Sequence, residues 1–272
     1  MSVTFKQKDH SYQSLDPNER INWISVTRFI EKFKETFDAL AQSEKSSTNP
    51  RSKWFGIPPE IIRKHWANEG VRGRDEGSFY HDQRESDLLE INTLQRRGIN
   101  IPIIPPIFID NIKHAPVQRL TEGIYPEHFM YLKSVGLCGQ ADRIEVIKDI
   151  VDVIDYKTCK KIDMKSWVNW EGVSKKMLSP LEHLDDCHIN HHALQLSLYL
   201  YMVLKHNPRY KPGKMFIHHV IFEKEGDDQF GFPILKRSLN GEHIVKTVIP
   251  YEVPYLKTEV RNMIKWLENN PQ

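Results

Sequence analysis

Residues 136–161 read GLCGQADRIEVIKDIVDVIDYKTCKK, and this stretch decides the fold. Apolar residues alternate or run together at strand lengths on both sides of a short polar break, which predicts two antiparallel strands joined by a tight turn. Acidic residues are unusual in strands. Yet Asp142 lies in the first predicted strand and Asp155 near the end of the second. Hairpin pairing would bring these two carboxylates side by side.

Two adjacent carboxylates repel each other unless a positive charge lies between them. A divalent cation can supply that charge, and all-oxygen ligation favours Mg²⁺ or Mn²⁺. Side chains two residues apart on a strand share a face, so Lys157 lies on the same side as Asp155, while the intervening Tyr156 carbonyl can also turn toward the ion. An amine at that position could orient or deprotonate a water, or neutralise phosphoryl charge.

Asp149 and Asp152 fit a turn and a strand start, and they need no metal. Taken alone, the stretch is equally well explained as a surface hairpin whose acids are solvated and whose lysine forms a salt bridge.

The segments around this hairpin predict a mixed α/β protein with one central sheet flanked by helices. Helices are expected over 24–40, 57–70, 75–98, 191–207 and 253–270, and further strands over 3–6, 10–15, 213–224, 231–237 and 243–249. We expect a single domain with an N-terminal helical and hairpin extension (1–70), a catalytic core (71–225) and C-terminal strands and helix (226–272).

Composition narrows the class of protein. The chain has 272 residues, a net charge of +2 and three cysteines, too few for a disulfide framework. No apolar run is long enough to cross a membrane. The first residues are polar and lack the apolar segment of a signal peptide, so a cytoplasmic protein is expected, in a host cell if it is viral.

Asp142, Asp155 and Lys157 resemble the signature of the PD-(D/E)xK nuclease superfamily, and the wider chain resembles its RecB-like exonuclease branch. Three further motifs carry that resemblance: GSFYHDQRE (77–85), with a glycine before a helix and then His81 and Glu85; LTEGIY (120–125), with Glu122; and QLSLY (195–199), with Gln195 and Tyr199. The segment SVTRFIEKF (25–33) is also similar to mitochondrial and viral genome-maintenance single-strand exonucleases.

The resemblance implies a restriction-endonuclease-like core and a role for each matching residue. The implied metal ligands for one or two ions are His81, Asp142, Asp155 and the Tyr156 carbonyl. Lys157 would assist the attacking water, and Glu122 would be an outer or second-metal carboxylate. Gln195 and Tyr199 would brace the site and touch the nucleic acid. Some relatives bind an iron–sulfur cluster through four cysteines, which three cysteines cannot supply, so no such cluster is expected.

Basic and aromatic residues near these motifs are candidates for DNA contact, although solvation or burial explains them about as well. They are Arg72, Arg74, Lys160, Lys161 and Trp167. The expected activity is a metal-dependent DNA exonuclease acting on single strands or strand ends, in replication, recombination or repair, with recombination or replication proteins as possible partners. A structure-specific endonuclease, a catalytically silent DNA-binding module and a non-nuclease domain with incidental acids remain alternatives.

Overall fold

A computed structural model of the chain describes residues 3–6, 11–16, 18, 20–110, 112–114, 118–169 and 171–270. The helices are α1 (Val26–Glu31), α2 (Ala39–Thr48), α3 (Pro59–Leu89), α4 (His188–His206) and α5 (Lys257–Asn269). The strands are β1 (Val3–Lys6), β2 (Ser11–Ser14), β3 (Ile24–Ser25), β4 (Thr93–Arg96), β5 (Ile99–Pro102), β6 (Ile107–Ile109), β7 (Ile112–His114), β8 (Gly123–Leu132), β9 (Leu137–Ile147), β10 (Ile150–Lys157), β11 (Lys211–Phe222), β12 (Lys224–Asp227), β13 (Pro233–Leu235) and β14 (Val245–Val253).

The expected fold class is confirmed: a central mixed sheet is flanked by helices. Strands β8, β9 and β10 form an antiparallel meander, and β11 lies parallel to β10. The parallel pairing requires a long crossover, and α4 provides it. Strand β14 pairs with β11 at one edge, and the short β3 pairs with the start of β9. The first and last segments of the chain therefore both contribute a strand to the central sheet.

Helices α1, α4 and α5 cover one face of this sheet. Their buried side chains, such as Phe29, Leu196 and Met263, join the inward residues Val151 and Ile217 of the sheet in one large core. On the opposite face, α3 and the β4–β5 hairpin pack on smaller clusters. Strands β2, β1, β7 and β6 form a separate small sheet, in which Val3 and Phe5 pack against Phe129 of β8 and Cys138 of β9. None of the described helices is both long enough and apolar enough to span a lipid bilayer.

Three predicted helices differ from those observed. The 24–40 helix ends at Glu31, because the next residues tighten into a turn that buries Phe33 against Trp266, with ring centroids 5.2 Å apart. The helix expected over 75–98 ends at Leu89. Strands β4 and β5 follow it, joined at Arg97 and Gly98, which both have positive φ angles. Two residues with positive φ are typical of a tight hairpin turn.

The predicted break at Gly70 is also wrong, because α3 runs through Gly70, Gly73 and Gly77 without interruption. A glycine inside a helix costs about 1 kcal/mol relative to alanine. Burial of Ile62, Tyr80 and other side chains along the helix can offset that cost. Gly77 therefore lies inside the helix and not before it.

The two spaced acids without an expected metal role have different structural roles. Asp152 is buried and accepts hydrogen bonds from Arg97 Nη2 at 2.5 Å and from the Lys214 amide at 2.7 Å. Asp149 is at the hairpin turn and forms an exposed ion pair with Lys211 Nζ at 2.6 Å.

We expect Asp152→Ala to lower the free energy of unfolding by about 2 kcal/mol, since it removes a buried carboxylate that accepts hydrogen bonds from Arg97 and from the Lys214 amide. Asp149→Ala is the matched control and should change stability much less, because exposed ion pairs contribute little. Urea unfolding followed by circular dichroism would measure both variants. Equal losses in the two variants would contradict this assignment.

Candidate active site

The pairing of β9 with β10 creates the centre of the site. Ile154 lies opposite Arg143 in this antiparallel register, so the next residues, Asp155 and Asp142, come side by side. Both side chains are buried, and the Tyr156 amide donates a 2.5 Å hydrogen bond to Asp142 Oδ2. The sheet therefore holds two carboxylates in a fixed position next to each other, as the sequence predicts.

Two other elements add ligands to this pair. Helix α3 brings His81, whose Nδ1 lies 3.2 Å from Asp142 Oδ1 and 3.6 Å from Glu127 Oε1. Strand β8 brings Glu127. One ligand atom from each of His81, Glu127 and Asp142 lies within 4.8 Å of the others, so the three could hold one metal ion. Carboxylate oxygens with one imidazole suit hard divalent cations such as Mg²⁺ and Mn²⁺.

These residues line a cavity of about 340 Å³, together with Asp155, Lys157, Gln195 and Tyr199. Lys157 Nζ forms an ion pair with Asp155 Oδ2. The cavity wall thus contains four carboxylates, those of Asp82, Glu127, Asp142 and Asp155, and two groups that can be positive, His81 and Lys157. The carboxylates outnumber the positive groups, so a bound cation would neutralise negative charge.

The close packing of these charged groups shifts their pKa values. Burial raises the pKa of Asp155 to about 6, with Asp142 adding to the rise and Lys157 opposing it. Burial alone would lower the pKa of His81, but Asp142 and Glu127 outweigh it and raise the pKa to about 11. Lys157 is likewise desolvated, yet Asp155 and Asp142 hold its pKa above the ordinary value. The lysine is therefore a cation at neutral pH.

Helix α4 closes one side of the cavity with Gln195 and Tyr199. Gln195 Nε2 donates to the Tyr199 hydroxyl at 3.1 Å, as expected for residues one helical turn apart. The tyrosine ring fits because the facing residue is Gly139, where a Cβ would lie 2.7 Å from Tyr199 Cε1. Gly139 therefore allows α4 to approach β9 closely.

Glu122 does not reach this cavity. Its Oε2 accepts a 2.7 Å hydrogen bond from the Lys148 amide at the β9–β10 turn, at the far end of the hairpin. The carboxylate beside His81 is Glu127, five residues later, and sequence reasoning missed it. A signal was available, because Pro126 interrupts the strand just before a glutamate in an otherwise apolar run.

Glu127 also has a strained backbone. Its φ is +45°, between the regular β8–β9 pairs Pro126–Arg143 and His128–Ala141. A left-handed conformation costs a non-glycine residue about 1–3 kcal/mol and often marks a functional position. Gln140 Nε2 donates to Glu127 Oε2, so a second pocket residue holds the carboxylate in place.

The remaining candidates lie at or beyond the rim. The Tyr156 ring packs against Tyr80 and lies 5.9 Å from the His81 ring, and Tyr156 does not line the cavity. Glu85 pairs with Lys113, with Oε1 3.7 Å from Nζ. The five proposed DNA contacts do not line the cavity. Arg72 is paired with Glu69 and Glu76, Lys161 is paired with Asp163, and Arg74, Lys160 and Trp167 are exposed.

Comparison with known proteins adds one strong similarity. The family model described as the PD-(D/E)XK nuclease superfamily matches residues 110–269, more than half of the chain. No curated protein matches the sequence. A solved structure described as "Crystal structure of SSO0001" covers 95% of this chain and 82% of its own, at 14% identity and a TM-score of 0.32.

The two glutamates permit a direct test. We expect Glu127→Gln to weaken Mn²⁺ binding at least tenfold, because it removes a charged oxygen ligand from the cavity. Substitution of residues that only support metal ligands already lowers metal affinity by about 10–100-fold. Glu122→Gln is the control and should bind Mn²⁺ as the unchanged protein does. Isothermal titration calorimetry without DNA measures both. Weaker binding in the Glu122 variant alone would reverse the assignment.

The close approach at Gly139 gives a second prediction. Gly139→Ala should lower the free energy of unfolding by about 1–3 kcal/mol, because the added methyl group collides with the Tyr199 ring. Gly226→Ala is a suitable control, since a Cβ there meets no atom within 4 Å. Chemical denaturation should show little change in the control. A neutral Gly139→Ala would mean that α4 can shift freely.

Proposed function

Because the chain belongs to the PD-(D/E)XK nuclease superfamily, whose members are metal-dependent nucleases, we propose that it is a deoxyribonuclease that uses Mg²⁺ or Mn²⁺ to hydrolyse phosphodiester bonds. One observation carries the proposal. His81, Glu127 and Asp142 converge within 4.8 Å in the cavity that also contains the Asp155–Lys157 ion pair.

Each residue has a role in this proposal. Asp142, Asp155, Glu127, His81 and the Tyr156 carbonyl would hold one or two ions. A bound ion would polarise the phosphoryl group and lower the pKa of a coordinated water.

Lys157, which is paired with Asp155, would orient the attacking water and stabilise negative charge on the phosphoryl oxygens. Gln195 and Tyr199 brace the cavity from α4 and contact the substrate. Burial raises the pKa of Tyr199, which keeps its hydroxyl protonated and able to donate a hydrogen bond.

Aromatic side chains in the cavity wall support an unpaired strand as substrate. Phe5 and Tyr12 from the β1–β2 hairpin line the cavity beside the acids, and their rings stack 5.0 Å apart. Aromatic walls are typical of sites that bind single strands.

We therefore propose an exonuclease of the RecB-like branch, similar to the mitochondrial and viral single-strand enzymes. It would act at single strands or strand ends during replication, recombination or repair, with proteins of those processes as partners, in the cytoplasm. Arg72, Arg74, Lys160, Lys161 and Trp167 would contact DNA outside the cavity.

Digestion of end-labelled linear and of circular single-stranded DNA with Mg²⁺ or Mn²⁺ tests the proposal. Linear DNA should be degraded from its ends, whereas circles should resist cleavage. Cleavage of circles at the same rate as linear strands would indicate an endonuclease.

Two substitutions test the catalytic residues. Asp155→Asn and Lys157→Ala should each reduce the rate at least 100-fold, in line with the loss of one group that stabilises the transition state. Asp149→Asn, in the same hairpin but outside the cavity, should retain full activity. Full activity in Asp155→Asn would overturn the proposed site, and DNA binding by an unchanged protein without any cleavage would indicate a silent DNA-binding module.

A further inference from the structure

A second cavity lies along helix α3, directly beside the active site. Its volume is about 530 Å³. Strand β11 and the β12–β13 hairpin form its apolar side, and two helical glycines form part of the opposite side. The residues that matter here are Gly70, Gly73, Val220, Phe222, Phe232 and Leu235.

The two cavities meet where α3 crosses the end of β10. Lys157 lines the active-site cavity, and the next residue, Thr158, lines the second one. Gly77 belongs to the active-site wall, and a Cβ there would lie 3.4 Å from Thr158 Oγ1. Gly73, one helical turn earlier, lines the second cavity. One turn of helix is about 5.4 Å, so both cavities are within reach of neighbouring nucleotides on one strand.

The chemistry of the second cavity suits a nucleobase. Phe222, Pro233 and Leu235 are among the apolar residues of its wall, and the acids Glu69, Glu76 and Asp227 also line it. The Phe232 ring stacks on His65, and Lys53 Nζ lies 4.3 Å from its centroid. Arg72 and Lys224 at its edge are already paired with Glu69 and Asp227. Lys160 is exposed, and its Nζ is 3.2 Å from the Gly231 carbonyl, with no ion pair to any residue the structure describes. It can therefore turn to a phosphate.

We propose that this second cavity is a base pocket: it binds the base of a nucleotide next to the cleaved bond, while Lys160 contacts the adjoining phosphate. This inference rests on the proposed nuclease function and adds to it a binding site for one unstacked base. A base can enter the pocket only when it is unpaired. The base pocket would thus favour single strands and frayed ends over intact duplex DNA.

Gly73 allows a test that does not damage the fold. A Cβ at this position meets no atom within 4 Å, and alanine and leucine are both better helix formers than glycine. Gly73→Leu should therefore fold at least as stably as the unchanged protein while its side chain occupies space in the base pocket. Gly73→Ala is the matched control, because it makes the same backbone change with little added volume.

Fluorescence anisotropy of a labelled oligodeoxythymidylate with Ca²⁺ would measure binding. We expect Gly73→Leu to weaken affinity at least tenfold and Gly73→Ala to stay within twofold. Mn²⁺-dependent hydrolysis of bis(p-nitrophenyl) phosphate, which is too small to use both cavities, should be the same in all three proteins. Unchanged oligonucleotide affinity in Gly73→Leu would overturn the base pocket. Absence of this hydrolysis in the unchanged protein would instead count against the nuclease function.

Cys159 offers an independent measurement because it lines the base pocket and is exposed, whereas Cys138 and Cys187 are buried. A bound oligonucleotide should slow alkylation of Cys159 by a fluorescent iodoacetamide at least fivefold. An abasic oligonucleotide of the same length should protect much less, at concentrations that give equal occupancy. Equal protection by the two oligonucleotides would show that only the backbone binds here, and would also overturn the proposal.

Discussion

The site depends on the antiparallel register of β9 and β10, which places the buried carboxylates of Asp142 and Asp155 side by side. Close buried carboxylates are unfavourable unless positive charge compensates them. Lys157 provides part of that charge. A divalent cation would provide the rest, with His81 binding it as a neutral imidazole. The geometry around the pair therefore follows from one electrostatic requirement.

Helix α3 brings His81 to the acids from the other side of the cavity. The helix is 31 residues long and begins far from the acids. It passes the end of β10 where Gly77 faces Thr158, and His81, one turn later, lies against Asp142. The same approach divides the space along the helix into the active-site cavity and the base pocket. One helix thus positions a metal ligand and shapes the path for a strand.

Strain and close packing are concentrated in this region. Glu127 has a left-handed backbone conformation within a strand, and Gly139 leaves just enough room for the Tyr199 ring. Such features reduce stability, and they persist where the surrounding structure holds them in place. Here the burial of the large core beneath α4 and α5 can offset that loss of stability. The strained residues in turn hold the acids in a fixed arrangement.

The sequence by itself determined the hairpin of β9 and β10, the presence of helix α4 and the proximity of Asp142, Asp155 and Lys157. These features depend on apolar periodicity and on the two-residue repeat of a strand, which are local properties of the chain. The sequence also indicated that His81, Gln195 and Tyr199 belong with them, through motif resemblance.

Only the tertiary structure decided which glutamate enters the cavity. Glu122 lies just before β8 and contacts the far end of the hairpin, whereas Glu127 lies within β8, where its backbone is distorted. It also decided that α3 continues through its glycines, since packing along its whole length outweighs their low helix propensity. The base pocket has no sequence signal, because its walls come from α3, β11 and the β12–β13 hairpin, which are distant in the chain. Contacts between distant segments depend on the folded shape, and local patterns do not encode them.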